Sequence, residues 1–362
     1  MIYIHVPFCH RKCTYCAFYS RPVASSQFAI SSYVDALLAE MEQRKGEQAH
    51  PIKTVYFGGG TPSILPVNEL ARIVDGLRRC FYLSQLEEAT IECNPEDLKP
   101  EYLDGLRKLG LFNRISIGIQ SLDDNVLRMI GRRHTAQQAL DAVENAHRAG
   151  FQNISVDFIY GIKPMDPISP IGPISLISHI SAYSLTVEPG TALAVQIEQG
   201  RVVLPDEDEV VRQYHALNKA FEAAGFRQYE VSNYARPGCE SKHNSRYWNR
   251  TSYLGLGPGA HSFDGVHRRW NGHIQTKSGE WRVESEETLT EADAYNELLM
   301  TSLRTTRGLP LASVPEGQRE RLHLAMQPYI DCGWVVLKDN HYAPTAEGLL
   351  HADGMAVSLF DA

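Results

Sequence analysis

Short apolar, β-prone runs recur along the first half of the chain, each followed by a stretch with helical spacing. Ile2–Val6 is the first such run, and Ser32–Lys45 then has helical composition. Thr54–Phe57 is a predicted strand that ends in Gly58-Gly59-Gly60. In Asn68–Arg79 the residues Leu70, Ile73, Val74 and Leu77 share one helical face. Ala89–Cys93 and Arg114–Ile119 are the third and fourth strands, with a helix over Pro100–Leu109 between them. Helices follow at Asp123–Ile130 and Ala136–Ala149, and glycines at 110 and 150 suit helix ends. Ile154–Tyr160 and Ile180–Val187 complete six strands by about residue 190. Alternating β and α segments predict parallel strands with helices outside them, here an incomplete (β/α)6 barrel. One crossover breaks the rhythm. Ile162–Pro173 holds four prolines within residues 164–173, which forbids a regular helix and predicts an extended loop.

Beyond residue 190 the pattern changes. Asp206–Ala224 is a long helix with Asp206 as its N-cap. Gln228–Ser232 reads as a strand, and Pro237–Asp264, rich in Gly, aromatics and His, as loop. Glu291–Arg304 is an amphipathic helix, and another lies around Gln318–Ile330. A hairpin of Trp334–Lys338 and Tyr342–Pro344 about Asn340 follows, then a helix from Thr345. That order is winged-helix-like. The expected division is a partial barrel over 1–190, a middle region over 191–290, and a C-terminal α+β unit over 291–362.

Composition narrows the function classes. With 43% hydrophobic and 22% charged residues in 362, a sizeable core is expected. The net charge of −8 and the lack of a dense basic run argue against nucleic acid as a partner. No apolar stretch approaches a membrane span, and Met1–Val6 lacks the layout of a signal peptide. Of seven cysteines, Cys80, Cys93, Cys239 and Cys332 are scattered. A reducing, cytoplasmic setting is expected rather than a disulfide framework.

The other three cysteines are clustered. Cys9, Cys13 and Cys16 have the spacing C-x3-C-x2-C. Three thiolates are one too few for a structural zinc site or for an ordinary four-cysteine cluster. A cubane held by three leaves one iron open to a small molecule. Each further polar motif falls at a predicted strand end: Gly58–Pro62 after the second, Glu92 in the third, Gln120 after the fourth and Asp157 in the fifth. In barrels of this kind those ends build the active face. Singly, each has a plainer reading. The glycines can make only a tight turn, Arg132 and Arg133 can be solvated, and Asp157 can cap a helix.

Cys-x3-Cys-x2-Cys followed by Gly-Gly-Gly-Thr-Pro resembles the radical S-adenosylmethionine (SAM) superfamily. Tyr3–Cys9, Glu92-Cys93-Asn94-Pro95, Ile117–Ser121, Arg132-Arg133-His134 and Val156–Gly161 resemble its coproporphyrinogen oxidase-like branch. The oxygen-independent coproporphyrinogen III oxidases of that branch extend the motif to a fourth cysteine and carry a long extension before it. Here Phe18 stands at the fourth position, and only Met1 and Ile2 precede the Tyr3–Cys9 run. His243-Asn244-Ser245-Arg246-Tyr247-Trp248 and Gly255–Ser262 resemble instead the HemW-type heme chaperones.

The resemblance implies that Cys9, Cys13 and Cys16 hold a [4Fe–4S] cluster whose open iron chelates SAM. It places Tyr3 and the backbone at Tyr15–Ala17 near that cofactor. Gly59, Gly60 and Thr61 would meet its amino group, Glu92 and Arg132 its other polar groups, and Gln120 and Asp157 its ribose. It implies heme as cargo, with His243 as axial ligand flanked by Tyr247 and Trp248; His261 and Cys239 are rival ligands, and His5 is structural. The implied function is delivery of heme to hemoproteins of the respiratory chain, in the cytoplasm or peripherally at the membrane, with a heme-dependent homodimer as a further expectation. The alternative is oxidative decarboxylation of coproporphyrinogen III, which Phe18 disfavours. The chain departs from the family at Ile162–Pro173, which is shorter than the usual turn and helix.

Overall fold

The computed structural model describes residues 1–23, 30–48, 50–163, 174–274 and 281–361. Most of the proline-rich crossover, residues 164–173, lies outside the described residues.

The six expected strands form. They are β1 (Ile2–Val6), β2 (Thr54–Gly59), β3 (Glu88–Cys93), β4 (Arg114–Gln120), β5 (Asn153–Tyr160) and β6 (His179–Ser184). They pair in parallel in chain order. Helices α1 (Ile30–Arg44), α2 (Val67–Cys80), α3 (Pro100–Lys108), α4 (Asp124–Met129) and α5 (Ala136–Arg148) occupy the connections. A capping box at Thr135 and Gln138 starts α5, satisfying two otherwise orphaned backbone donors.

Strict alternation decides which face is which. Val55, Phe57, Ala89, Ile91, Ile115, Ile117, Ile154, Val156 and Ile180 are fully buried and pack with the helices into one core. The intervening residues are polar: Thr54 and Tyr56, Thr90 and Glu92, Arg114 and Ser116, Ser155 and Asp157, His179 and Ser181. They face the concave side of the sheet. The curved sheet does not close into a barrel.

Beyond residue 190 come α6 (Ala192–Glu198) and α7 (Glu207–Ala223), the latter capped by Asp206 as expected. The single strand expected over Gln228–Ser232 is instead a tight hairpin, β7 (Arg227–Gln228) and β8 (Asn233–Ala235), added antiparallel to β6. The buried Glu230 and the residues around it form its turn. The supposed loop over Pro237–Asp264 is also structured. It contains α8 (Lys242–Trp248), β9 (Leu254–Leu256) and β10 (His261–Phe263). Strand β9 pairs in parallel with the outer edge of β1, Ile2 opposite Leu254, so the parallel sheet gains a strand from the middle of the chain. Strand β10 continues antiparallel into β11 (His267–Asn271) and β12 (Val283–Thr288).

Helix α8 closes the lower mouth, where the strands begin. Glu88, 2% exposed, accepts hydrogen bonds from the backbone N–H groups of Lys242 (2.9 Å) and His243 (2.8 Å). The carboxylate thus sits on the helix N-terminus, where a negative charge is favoured.

The C-terminal part has its own apolar cluster around Leu299, Leu303, Leu322, Met326 and Tyr342. It comprises α9 (Glu291–Ser302), β13 (Leu309–Pro310), α10 (Arg319–Asp331), the hairpin β14 (Val335–Lys338) and β15 (His341–Pro344), and two short helices from Ala346. The three strands form one sheet in the order β13-β15-β14, the winged-helix-like arrangement expected.

Replacing Glu88 by Ala strands buried donors at the start of α8. Urea unfolding of the full chain should show a loss of ~2–3 kcal/mol, and Glu88→Gln a smaller one.

Candidate functional site

At the opposite, C-terminal ends of β1 to β6 lies a cavity of about 670 Å³. Cys9, Cys13, Cys16, Tyr15, Gly59, Gly60, Thr61, Glu92, Gln120, Arg132 and Asp157 all line it. The structure therefore brings together residues spread over nearly 150 positions. Tyr3 does not line this cavity. It packs on Tyr56 (ring centroids 6.2 Å apart) and reaches His5 Nδ1 through its hydroxyl at 3.1 Å.

The cysteine loop is strapped in place from both sides. Thr14 donates its N–H to Ile130 O (3.0 Å) at the end of α4, and its own carbonyl accepts from Leu193 N–H (2.8 Å) in α6. All three cysteines are free thiols. Donors point at two of the sulfurs: Thr61 Oγ1 at Cys9 Sγ (3.5 Å) and an Arg132 guanidinium nitrogen at Cys13 Sγ (3.7 Å). The thiolate is the form of cysteine that ligates iron. Among the described residues no three His, Cys, Asp or Glu side chains converge as a single-ion site.

Arg132 is held by Asn94 Oδ1 and Gly118 O, both at 2.6 Å. Among the described residues it has no carboxylate within ion-pair distance, and its Nε is buried without a partner. A buried guanidinium so placed fits an incoming carboxylate. Glu92 accepts from Tyr56 OH (2.6 Å) and from Gly59 N–H (3.2 Å). Burial nevertheless pushes its carboxyl up to about 7, the neighbouring Asp157 adding to the rise against those two hydrogen bonds. Asp157 is raised too, by burial, and accepts from Ser116 Oγ at 3.3 Å. One guanidinium and two buried carboxyls around one space suit a ligand that carries carboxylate, ammonium and hydroxyl groups together. The residues present fit SAM.

Two backbone details shape the walls. Gly59 has φ of +108°, and a Cβ there would fall within 3 Å of the His5 ring. The glycine run is therefore a close-packed turn, with the Gly59 N–H donated to Glu92 and the Gly60 N–H to Val6 O (2.8 Å). Gln120 has φ of +60° at an irregularity in the β4–β5 pairing. Such strain in a non-glycine residue persists only where its surroundings enforce it, and here it presents the amide to the cavity.

Sequence reasoning missed several members. Asn94 bridges Arg132 and Thr61 Oγ1 (3.3 Å), although it lies inside the Glu92–Pro95 motif. Tyr56, which holds Glu92, and Ser116, which holds Asp157, were signalled only by the alternation of polar residues in β2 and β4.

His243 stands apart from the cavity. It is 1% exposed on the barrel floor, its Nδ1 bonded to Thr54 Oγ1 (2.9 Å) and its Nε2 to Tyr247 OH (3.1 Å). Burial lowers its pKa to about 3, so the ring is neutral. As folded, it offers iron no free nitrogen. Trp248 lies under the Arg304 guanidinium (5.5 Å), where it joins the barrel to the C-terminal part. Cys239, in the turn after β8, lines neither this cavity nor the next. His261 lines a second cavity, of about 690 Å³, beside β1 and the cysteine loop. Phe18, 69% exposed, borders both.

The radical SAM superfamily profile matches residues 3–167, and the HemN C-terminal domain profile matches residues 289–351. The chain is 34% identical to the heme chaperone HemW of Mycobacterium tuberculosis, covering 99% of this chain and 94% of that protein. It is 36% identical to the heme chaperone HemW of Bacillus subtilis over 74% of this chain and 72% of that protein. The coproporphyrinogen III oxidase HemN of Escherichia coli, a radical SAM enzyme, superposes with a TM-score of 0.81 at 22% identity, covering 99% of this chain and 89% of that one. That likeness establishes the shared fold.

The raised pKa of Glu92 makes ligand-free stability depend on pH. The folded state holds the proton up to about pH 7, whereas the unfolded carboxyl releases it near 4.5. Stability should therefore be full below pH ~4.5 and fall as pH rises to about 7, by up to ~3 kcal/mol at 1.36 kcal/mol per unit. Glu92→Gln should remove that slope in urea unfolding measured between pH 5 and pH 8.

Proposed function

We propose that this chain, which belongs to the HemW family of the radical SAM superfamily, binds heme and passes it to acceptor hemoproteins. The observation that carries this reading is the full-length likeness to heme chaperones, reinforced by Phe18. At the position where the coproporphyrinogen oxidases have a fourth cysteine, an exposed apolar ring offers no thiolate.

In this reading Cys9, Cys13 and Cys16 hold a [4Fe–4S] cluster, and SAM occupies the space beside it. When bound, the two supply one-electron chemistry at the open iron. The chain's own residues bind and orient. Arg132 takes the carboxylate of SAM, and the Gly59-Gly60-Thr61 turn with Glu92 receives its amino group. Gln120 and Asp157 accept from the ribose hydroxyls, and Tyr15 packs nearby. Tyr3 acts indirectly, by packing on Tyr56, which holds Glu92. Residues 1–190 form the cluster and SAM unit, 191–290 the heme region, and 291–362 the appended C-terminal unit. Among the described residues no helix is long and apolar enough to cross a membrane. Respiratory acceptors, contact with the membrane surface and heme-dependent pairing of two chains are the finer parts of the reading, and they rest on the family resemblance.

The test uses the full chain with its cluster reconstituted under anaerobic conditions. Hemin titration should give saturable binding with a defined Soret band, and the loaded protein should transfer heme to a heme-free acceptor. Coproporphyrinogen III should be returned unchanged. Formation of protoporphyrinogen in the absence of heme binding would overturn the proposal. Cys13→Ala should abolish cluster iron without unfolding the chain.

A further inference from the structure

We propose that the second cavity is the heme site, with His261 supplying the axial nitrogen and Trp270, Tyr19 and Phe18 contacting the macrocycle. This rests on the heme-chaperone reading and gives it a place.

The cavity lies between the outer side of β1, the far arm of the cysteine loop and the small sheet of β10 to β12. At about 690 Å³ it falls within the ~300–1,000 Å³ typical of small-ligand pockets. Its walls are aromatic. On one side His261 and Trp270 are paired across β10 and β11, their rings 5.6 Å apart and nearly perpendicular. On the other side His273 stacks flat on Tyr19, with centroids 3.9 Å apart. A planar, apolar, metal-bearing ligand is what such walls and imidazoles accommodate.

The hydrogen bonds separate the histidines. His5 is used up: Nδ1 meets Tyr3 OH and Nε2 meets Tyr19 O. His243 is used up on the barrel floor. Among the described residues, neither ring nitrogen of His261 or His273 makes a hydrogen bond. A neutral imidazole with a free lone pair is a common ligand for heme iron. His261 is the better held of the two. Its backbone is paired in β10 and packs so closely on β9 that a Cβ at Gly255 would lie 1.9 Å from its carbonyl oxygen. The face of His273 is already covered by Tyr19.

Phe18 supplies the second, independent observation. A phenyl ring 69% exposed beside this cavity gains by covering. Ala17 and Phe18 form part of the wall of both cavities, so heme here would touch the segment that follows Cys16.

The test titrates hemin and, separately, metal-free protoporphyrin IX into the cluster-reconstituted full chain. Iron content and circular dichroism check each variant. His261→Ala should weaken hemin binding at least tenfold and abolish the histidine-ligated electron paramagnetic resonance signal, with protoporphyrin IX binding unchanged. His261→Met should instead keep hemin bound with a shifted Soret band. Trp270→Ala should weaken both porphyrins. Wild-type spectrum and affinity in His261→Ala, or loss of the signal in His243→Ala or His273→Ala alone, would overturn the site and leave the chaperone reading standing. Failure of the wild-type chain to take up heme would overturn both.

Discussion

An open, curved parallel sheet has an inner face that no helix covers, and in this chain that face is polar from β2 to β6. A buried polar group without a partner costs ~1–3 kcal/mol, so the inner face has to be satisfied strand by strand. Most of its lower half is satisfied within the protein, although Thr90 Oγ1 and Arg114 Nε are buried without a hydrogen-bond partner. Glu88 caps α8, Thr54 meets His243, and Arg114 donates to Asn153 Oδ1 (2.7 Å). His179 spans Ser155 and Tyr229, at 2.8 Å on each side. The upper half is satisfied only in part, and that is where the cysteines stand.

The unsatisfied half has a consistent character. Glu92 and Asp157 are held protonated more readily than usual because burial opposes their charge, while Arg132 makes no ion-pair contact with a carboxylate among the described residues. A site with this imbalance is poorly matched to water and well matched to a zwitterion. A ligand carboxylate supplies the missing counter-charge for Arg132, and a ligand ammonium draws Glu92 to its ionised form. Ligand binding and proton release are therefore linked through Glu92, with the sign that binding is favoured as pH rises through its titration.

The six strands and the face they share were legible because their signals are local: β-prone runs, polar alternation, glycine-rich turns. The strand ends carried the motifs, so the cavity residues were legible with them. What escaped depends on contacts between distant segments. Strand β9 is only Leu254-Gly255-Leu256, and its pairing is decided by the edge of β1, some 250 residues earlier. Its glycine reads as a loop signal, yet it is there because His261 packs directly against it. Helix α8 is seven residues long and is held by Glu88 from another strand. The His243 motif shows the same limit. A sequence motif names residue types, and only the hydrogen bonds reveal that both ring nitrogens are already engaged.

The cysteine loop is where the two halves of the molecule meet. Its near arm is fixed at Thr14 by Ile130 at the end of α4 and by Leu193 in α6. Its far arm is fixed by different partners: Tyr19 O accepts from His5 Nε2 (2.9 Å), Tyr19 OH accepts from Ile274 N–H (3.0 Å), and the Tyr19 ring stacks on His273. Between the arms stand Ala17 and Phe18, exposed to both cavities. A fourth cysteine at position 18 would add a thiolate at this junction. The phenyl ring places there instead a surface that binds by shape and dispersion. One side-chain difference therefore alters what the loop offers to the space beyond it, without altering the three cysteines that give the loop its first purpose.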